Sequence, residues 1–102
     1  MTMTVTHQPR VAWDGALAFV RVAQTPGYDD FAMQVLRRLG PEQHAQLEDT
    51  RARLIDNYYR TGGDRYLCDV EAGKWRFRLE DLLRQHPDLT GTVLELTSLV
   101  PR

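Results

Sequence analysis

Residues 65 to 80 constrain the fold most, because their side chains pair sensibly if the chain doubles back at Ala72 and Gly73. Three apolar pairs then lie on one side and three opposite-charge pairs on the other: Val70/Trp75, Cys68/Phe77, Tyr66/Leu79, Glu71/Lys74, Asp69/Arg76 and Arg65/Glu80. Both kinds of cross-strand pair stabilise antiparallel strands, and a slip of one residue would send the apolar set to the wrong face. The pattern predicts a β-hairpin with strands at 65–71 and 74–80.

Part of this stretch also fits a helix. Residues 74–86 form a single helix in this alternative, because the following side chains recur at helical spacing: Trp75, Leu79, Leu82, Leu83 and His86. Phe77 would then point away from the apolar stripe, and the opposite-charge pairs would be coincidental. We therefore favour the hairpin, with a short helix after it and a third strand at 92–96.

Three helices are predicted before the hairpin, at about 12–24, 29–39 and 41–61. The second has acidic residues at its start, and the third has Pro41 in its first turn and two glycines at its end. The first segment has an alternative, because Asp14-Gly15 is also the signature of a hairpin turn. Its alanine content favours the helix.

This order of elements predicts an α+β fold in which three helices pack on a small antiparallel sheet. A chain of 102 residues is the usual size of one domain, which we assign to residues 1–97. The ending Leu99-Val-Pro-Arg102 matches the sequence after which thrombin cleaves. We therefore interpret residues 98–102 as the remnant of a cleaved tag and leave them out of functional reasoning.

Composition excludes several classes of protein. Apolar residues make up 42% and charged residues 26%, as in globular chains, and no apolar run approaches the roughly 20 residues that span a bilayer. Thirteen basic and fourteen acidic residues give a net charge of −1, so there is no overall positive field to attract nucleic acid. The absence of a signal peptide and the single cysteine indicate a cytoplasmic protein.

No group of residues has the spacing of a known catalytic or metal site. Cys68 is expected to be a small buried side chain, and the three histidines do not form a metal-binding spacing. Asp69 and Glu71 are expected to form salt bridges with Arg76 and Lys74 across the hairpin. We predict a protein that is not an enzyme and that has no cofactor, metal or small-molecule substrate.

The remaining features indicate a small protein-protein interaction module, such as an adaptor, an immunity-like protein or a regulatory protein. Its partner is expected to be another protein or a second copy of the chain. An exposed tyrosine beside an arginine is typical of interfaces, and one apolar side chain lies on the charged face of the hairpin. The predicted partner-binding residues are Tyr59, Arg60, Leu67, Arg76 and Arg78.

An alternative function is DNA binding. In the order of their elements, two helices joined near Gly40 and followed by a hairpin resemble a winged helix-turn-helix transcriptional regulator. Amide side chains of the second helix would read adenine, and basic side chains of the hairpin would contact phosphate. The residues predicted for this alternative are Gln43, Gln46, Lys74, Arg76 and Arg78.

Overall fold

A computed structural model describes residues 7–101, and these residues form a helical domain. Its elements, in chain order, are α1 (Gln8–Val22), α2 (Tyr28–Leu39), α3 (Pro41–Thr61), α4 (Arg65–Gln85), a short 3-10 turn (Pro87–Leu89) and α5 (Thr90–Ser98). Within this part of the chain there is no β-strand. Residues 1–6 of the predicted domain and Arg102 of the predicted tag remnant lie outside the described residues.

The predicted α+β fold is therefore wrong. The hairpin at 65–71 and 74–80 is one continuous helix, α4, and the third strand at 92–96 belongs to α5. The favoured two-residue hairpin turns need positive φ at the first central residue, here Ala72, or at both, which is unfavourable for alanine, and neither Ala72 nor Gly73 has it. The helical alternative for 74–86 was closer, but α4 begins nine residues earlier, after the N-cap Asp64.

One of the three charge pairs assigned to the hairpin is kept as a pair along the helix, and charges from the other two pairs are redistributed. Glu71 and Lys74 form an i,i+3 ion pair at 3.3 Å, and Arg76 and Glu80 form an i,i+4 pair at 3.7 Å. Charges of alternating sign satisfy both a strand register and a helical one, because residues three or four apart are neighbours on a helix. The charge pattern alone therefore does not distinguish the two structures.

The three predicted N-terminal helices correspond to α1, α2 and α3. The first starts earlier than predicted, because His7 caps it and its Nδ1 accepts a hydrogen bond from the backbone of Arg10 at 3.3 Å. Gly40, with φ 103°, separates α2 from α3, and Gly62, with φ 79°, ends α3 in the left-handed conformation that glycine tolerates best. The hairpin alternative for residues 12–24 is excluded, since Asp14 and Gly15 lie inside α1.

The apolar core is centred on Phe19 of α1. Its ring lies edge-on to Phe31 of α2 at 5.2 Å and to Trp75 of α4 at 4.8 Å between centroids. Small residues let α1 approach its neighbours closely, since a Cβ added to Gly15 would lie 3.0 Å from side-chain atoms of both Leu79 in α4 and Val93 in α5. Helix α1 therefore packs closely against α4 and α5, while α2 packs mainly against α3.

Helix α3 is held to the end of α1 by one cation. The Arg51 guanidinium donates a hydrogen bond to the Ala23 carbonyl at 3.0 Å and lies over the Tyr28 ring at 4.3 Å. A cation beside the last carbonyls of a helix is favourable because of the helix dipole. Across residues 7–101, no helix is both long enough and apolar enough to cross a membrane.

Candidate functional site

The turn between α3 and α4 is exposed and is built from hydrogen bonds. The Thr61 hydroxyl donates to the Asn57 carbonyl at 2.8 Å and accepts from the backbone of Asp64 at 2.9 Å. The Asp64 carboxylate accepts from the backbone of Tyr66 at 2.9 Å, which caps α4. These bonds define where α4 starts and therefore which of its side chains face the core.

Between α3 and α4, one carboxylate is fully buried. Glu71 is 0% exposed, and Arg53 donates to both of its oxygens, at 3.0 Å from Nε and 2.8 Å from Nη2. Thr50 donates to the same carboxylate at 3.2 Å and accepts from Trp75 Nε1 at 2.8 Å, and Lys74 approaches it at 3.3 Å. We call Thr50, Arg53, Glu71, Lys74 and Trp75 the buried carboxylate network.

Arg53 and Lys74 favour the ionised form of the Glu71 carboxyl group. Burial alone would raise the pKa of Glu71, but the hydrogen bonds and charges of Arg53 and Lys74 outweigh it and hold the pKa below its usual value. The pKa of Arg53 is correspondingly raised by its hydrogen bonds to Glu71. Because both oxygens are occupied by protein donors, the network serves to join α3 to α4.

Arg78 lies one turn beyond Lys74 along α4, and its surroundings differ from those of Lys74. Its guanidinium lies over the Trp75 ring at 5.1 Å, and its Nη1 is buried with no hydrogen-bond partner among the described residues. Burial lowers the pKa of Arg78. The side chain therefore packs between the two helices and does not extend from an exposed face, as the hairpin interpretation required.

The five predicted partner-binding residues do not share one surface. Tyr59 is 81% exposed, and Arg60 beside it pairs with Asp56 at 3.2 Å. On α4, Arg76 is exposed, whereas Leu67 is half-buried and packs against the core. Helical geometry turns Arg76 away from Leu67 and Arg78, which a strand would have kept on the same side.

The residues predicted for DNA binding are also dispersed. Gln43 and Gln46 are half-buried, and the Gln43 side-chain oxygen is enclosed without a partner among the described residues. Lys74 is engaged with Glu71, and the described residues contain no strand that could form a wing. Readout of a base needs side chains that extend from an exposed recognition helix, which this placement does not provide.

The structure reveals an exposed aromatic face that sequence reasoning missed. Tyr66 is 73% exposed and Phe77 is 71% exposed, although the hairpin interpretation placed both side chains inside. They are three helical turns apart on one face of α4, with half-buried Val70 and exposed Gly73 between them. We call Tyr66, Val70, Gly73 and Phe77 the outer α4 stripe. Their spacing of four, three and four residues is the signal that reveals it.

Three other features of the described residues do not indicate a functional site. The Cys68 thiol is half-buried and lies 3.6 Å from the Gln24 side-chain oxygen, so it does not pack against Phe77 as predicted. A groove of about 740 Å³ lies between α1 and α2, but it is partly lined by residues 99–101 of the predicted tag remnant. Within residues 7–101, no three His, Cys, Asp or Glu side chains converge as a metal site would require.

The outer α4 stripe is thus one exposed aromatic feature of residues 7–101, and another is the pair Tyr58 and Tyr59 of α3, which are 65% and 81% exposed with ring centroids 5.8 Å apart. Large apolar side chains that share a face and remain in solvent are typical of surfaces that bind another macromolecule. Comparison of the chain with protein-family models, with curated proteins and with solved structures gave no match in any of the three.

Proposed function

We propose that this protein is a small, non-enzymatic interaction module that binds a protein partner through the outer α4 stripe. The observation that supports this proposal is the exposure of Tyr66 and Phe77 on one face of α4, at 73% and 71%. Aromatic residues are enriched in the centres of protein interfaces, and a helix commonly presents them at intervals of three, four and seven residues. We further propose that it acts in the cytoplasm, where the lone thiol of Cys68 stays reduced.

The buried face of α4 holds the outer α4 stripe in place. On the opposite side of α4, Trp75, Leu79 and Leu83 are fully buried, and Glu71 is tied to α3. A helix held in this way presents its outer side chains with little loss of conformational entropy on binding, which favours affinity. The buried carboxylate network therefore contributes to the proposed function by holding α4 in place.

Photocrosslinking in the native host tests this function. A photoreactive benzoylphenylalanine at position 77 should form covalent adducts with protein on irradiation, because Phe77 would lie inside the interface. The same residue at position 59 is the matched control, since Tyr59 is also aromatic and exposed but lies on α3. Adducts at 77 and not at 59 are expected.

Adducts of any protein, including a second copy of this chain, would support the interaction module. Equal labelling from both positions, no adduct from position 77, or adducts with nucleic acid alone would overturn the proposal. Circular dichroism of both variants should match the unmodified chain, because each side chain is mostly in solvent.

A further inference from the structure

The charged residues beside the outer α4 stripe are complementary to one another. Asp69 and Arg76 are seven residues apart, so they lie two turns apart along the same edge of the stripe. Asp69 is exposed and makes no ion pair with any residue of 7–101. Arg76 contacts Glu80 at 3.7 Å and its guanidinium lies 5.9 Å from the centroid of the Trp13 ring in α1, while its side chain stays 55% exposed. Opposite charges placed in this way match a second copy of the same edge if that copy runs in the opposite direction.

We propose that the outer α4 stripe binds the same stripe of a second copy of this chain, with the two α4 helices antiparallel. This inference rests on the proposed function and names its partner. A two-fold axis between residues 71 and 72 brings Tyr66 of each copy against Phe77 of the other. Along the edge, Asp69 of each copy then meets Arg76 of the other, so that two identical ion pairs form, as in an isologous interface.

The shape of the stripe supports the same arrangement. A Cβ added to Gly73 would meet nothing within 4 Å, so the surface at this point is open and the backbone is accessible. The antiparallel register places Val70 of the second copy opposite Gly73, which fills the gap left by the missing side chain. Aromatic pairs of Tyr66 and Phe77 lie at both ends of the interface.

Other registers fit less well. A shift of one heptad towards the C-terminus of α4 would bring the two Arg76 side chains together, which is repulsive. A parallel pairing would place Asp69 near Lys74 of the second copy, but Lys74 already contacts Glu71. It would also place Gly73 opposite Gly73 and leave a gap at the centre of the interface.

Sedimentation equilibrium of the purified full chain, combined with charge reversal, tests this dimer. The unmodified chain should show a concentration-dependent equilibrium between monomer and dimer. Each single variant, Asp69→Arg or Arg76→Asp, should weaken dimerisation about tenfold, because two ion pairs are lost and two repulsive contacts are created. The double variant should return to within about threefold of the unmodified chain, since the ion pairs re-form with reversed polarity.

Restoration in the double variant is specific to antiparallel helices. In a parallel pair, Asp69→Arg would face Lys74 and Arg76→Asp would face Asp81, so the double variant would be weaker than either single one. As further controls, Phe77→Lys should abolish the dimer and Tyr59→Lys should leave it unchanged. Circular dichroism should show the same helix content for all five variants.

A chain that stays monomeric up to about 1 mM, or a double variant that is not restored, would overturn the antiparallel dimer. The proposed interaction module fails separately. If photocrosslinking at position 77 captures other proteins while the purified chain is monomeric, the function stands and only its self-pairing is wrong. If neither adducts nor dimers form, both proposals are wrong.

Discussion

Helix α4 packs against two neighbours in opposite ways. Towards α1 the contact is largely apolar and close, because Gly15 leaves room for Leu79 and Phe19 packs edge-on against Trp75. Towards α3 the contact is polar, and the helices are joined by long side chains that reach a buried carboxylate. Small residues set how closely two helices approach, whereas a bidentate ion pair sets their register and orientation. One helix therefore uses apolar packing on one side and directional bonds on the other.

The largest effect should come from removing one partner of the polar contact. Arg53→Met leaves the buried Glu71 carboxylate with Lys74 as its one remaining ion-pair partner and Thr50 as its one remaining neutral donor, and breaking a buried ion pair in this way is strongly destabilising. Because Arg53 itself is 39% exposed, we expect a loss of about 2–3 kcal/mol in the free energy of unfolding, measured by urea denaturation. Lys74→Met is the control and should cost below about 1 kcal/mol. Equal losses for the two variants would contradict the role assigned to Arg53.

The apolar contact should be sensitive to added volume. Gly15→Val places carbon atoms where Leu79 and Val93 already lie, since even a Cβ would be 3.0 Å from each. Overpacking of this kind should lower the free energy of unfolding by about 2 kcal/mol, measured in the same way. Gly91→Ala is the matched control, because a Cβ there meets nothing within 4 Å and should stabilise α5 by up to about 1 kcal/mol. A neutral Gly15→Val would show that α1 and α4 are separable without cost.

The smallest expected effect is the pH dependence of the polar contact between α3 and α4, which the apolar contact with α1 should not share. The pKa of Glu71 is lowered on folding, so the unfolded chain takes up this proton first as the pH falls. The stabilisation is therefore complete above the ordinary value of 4.5 and is lost as the pH falls through the folded pKa. The difference in unfolding free energy between the unmodified chain and Glu71→Gln should shrink from about pH 7 to about pH 3.5. A constant difference would mean that the ionised form of Glu71 is not the stabilising one.

The sequence predicted the helices whose ends have strong local signals. Pro41 at the start of α3 and Gly62 at its end act within one turn, and so the limits of α3 agree with the prediction. Residues 65–80 lack such signals inside the segment, and their charges satisfy two different periods. A contact distant in sequence, between Glu71 and Arg53 of α3, holds α4 in its place, and no local pattern reveals it.

The same error affected the candidate site. Treating Tyr66 and Phe77 as inward-facing strand residues hid the only signal of the outer α4 stripe, which is their separation by three helical turns. The alternating charges of the segment were noticed, but Asp69 and Arg76 were assigned to each other within one chain. They lie two turns apart on α4, and the proposed dimer pairs them between chains.

Glu71, Arg53 and Thr50 form a unit that no single substitution can improve. Replacing Arg53 or Glu71 alone leaves a charge without its partner, whereas replacing both by apolar residues of matching volume removes that cost, provided that Thr50 stays to accept the Trp75 indole hydrogen bond at 2.8 Å. A combinatorial library randomised at these three positions should therefore return two separate families of stable sequences, one with the ion pair and one with apolar residues in its place. Few intermediates should connect them, so the ionic solution is a local optimum from which stepwise mutation cannot easily depart.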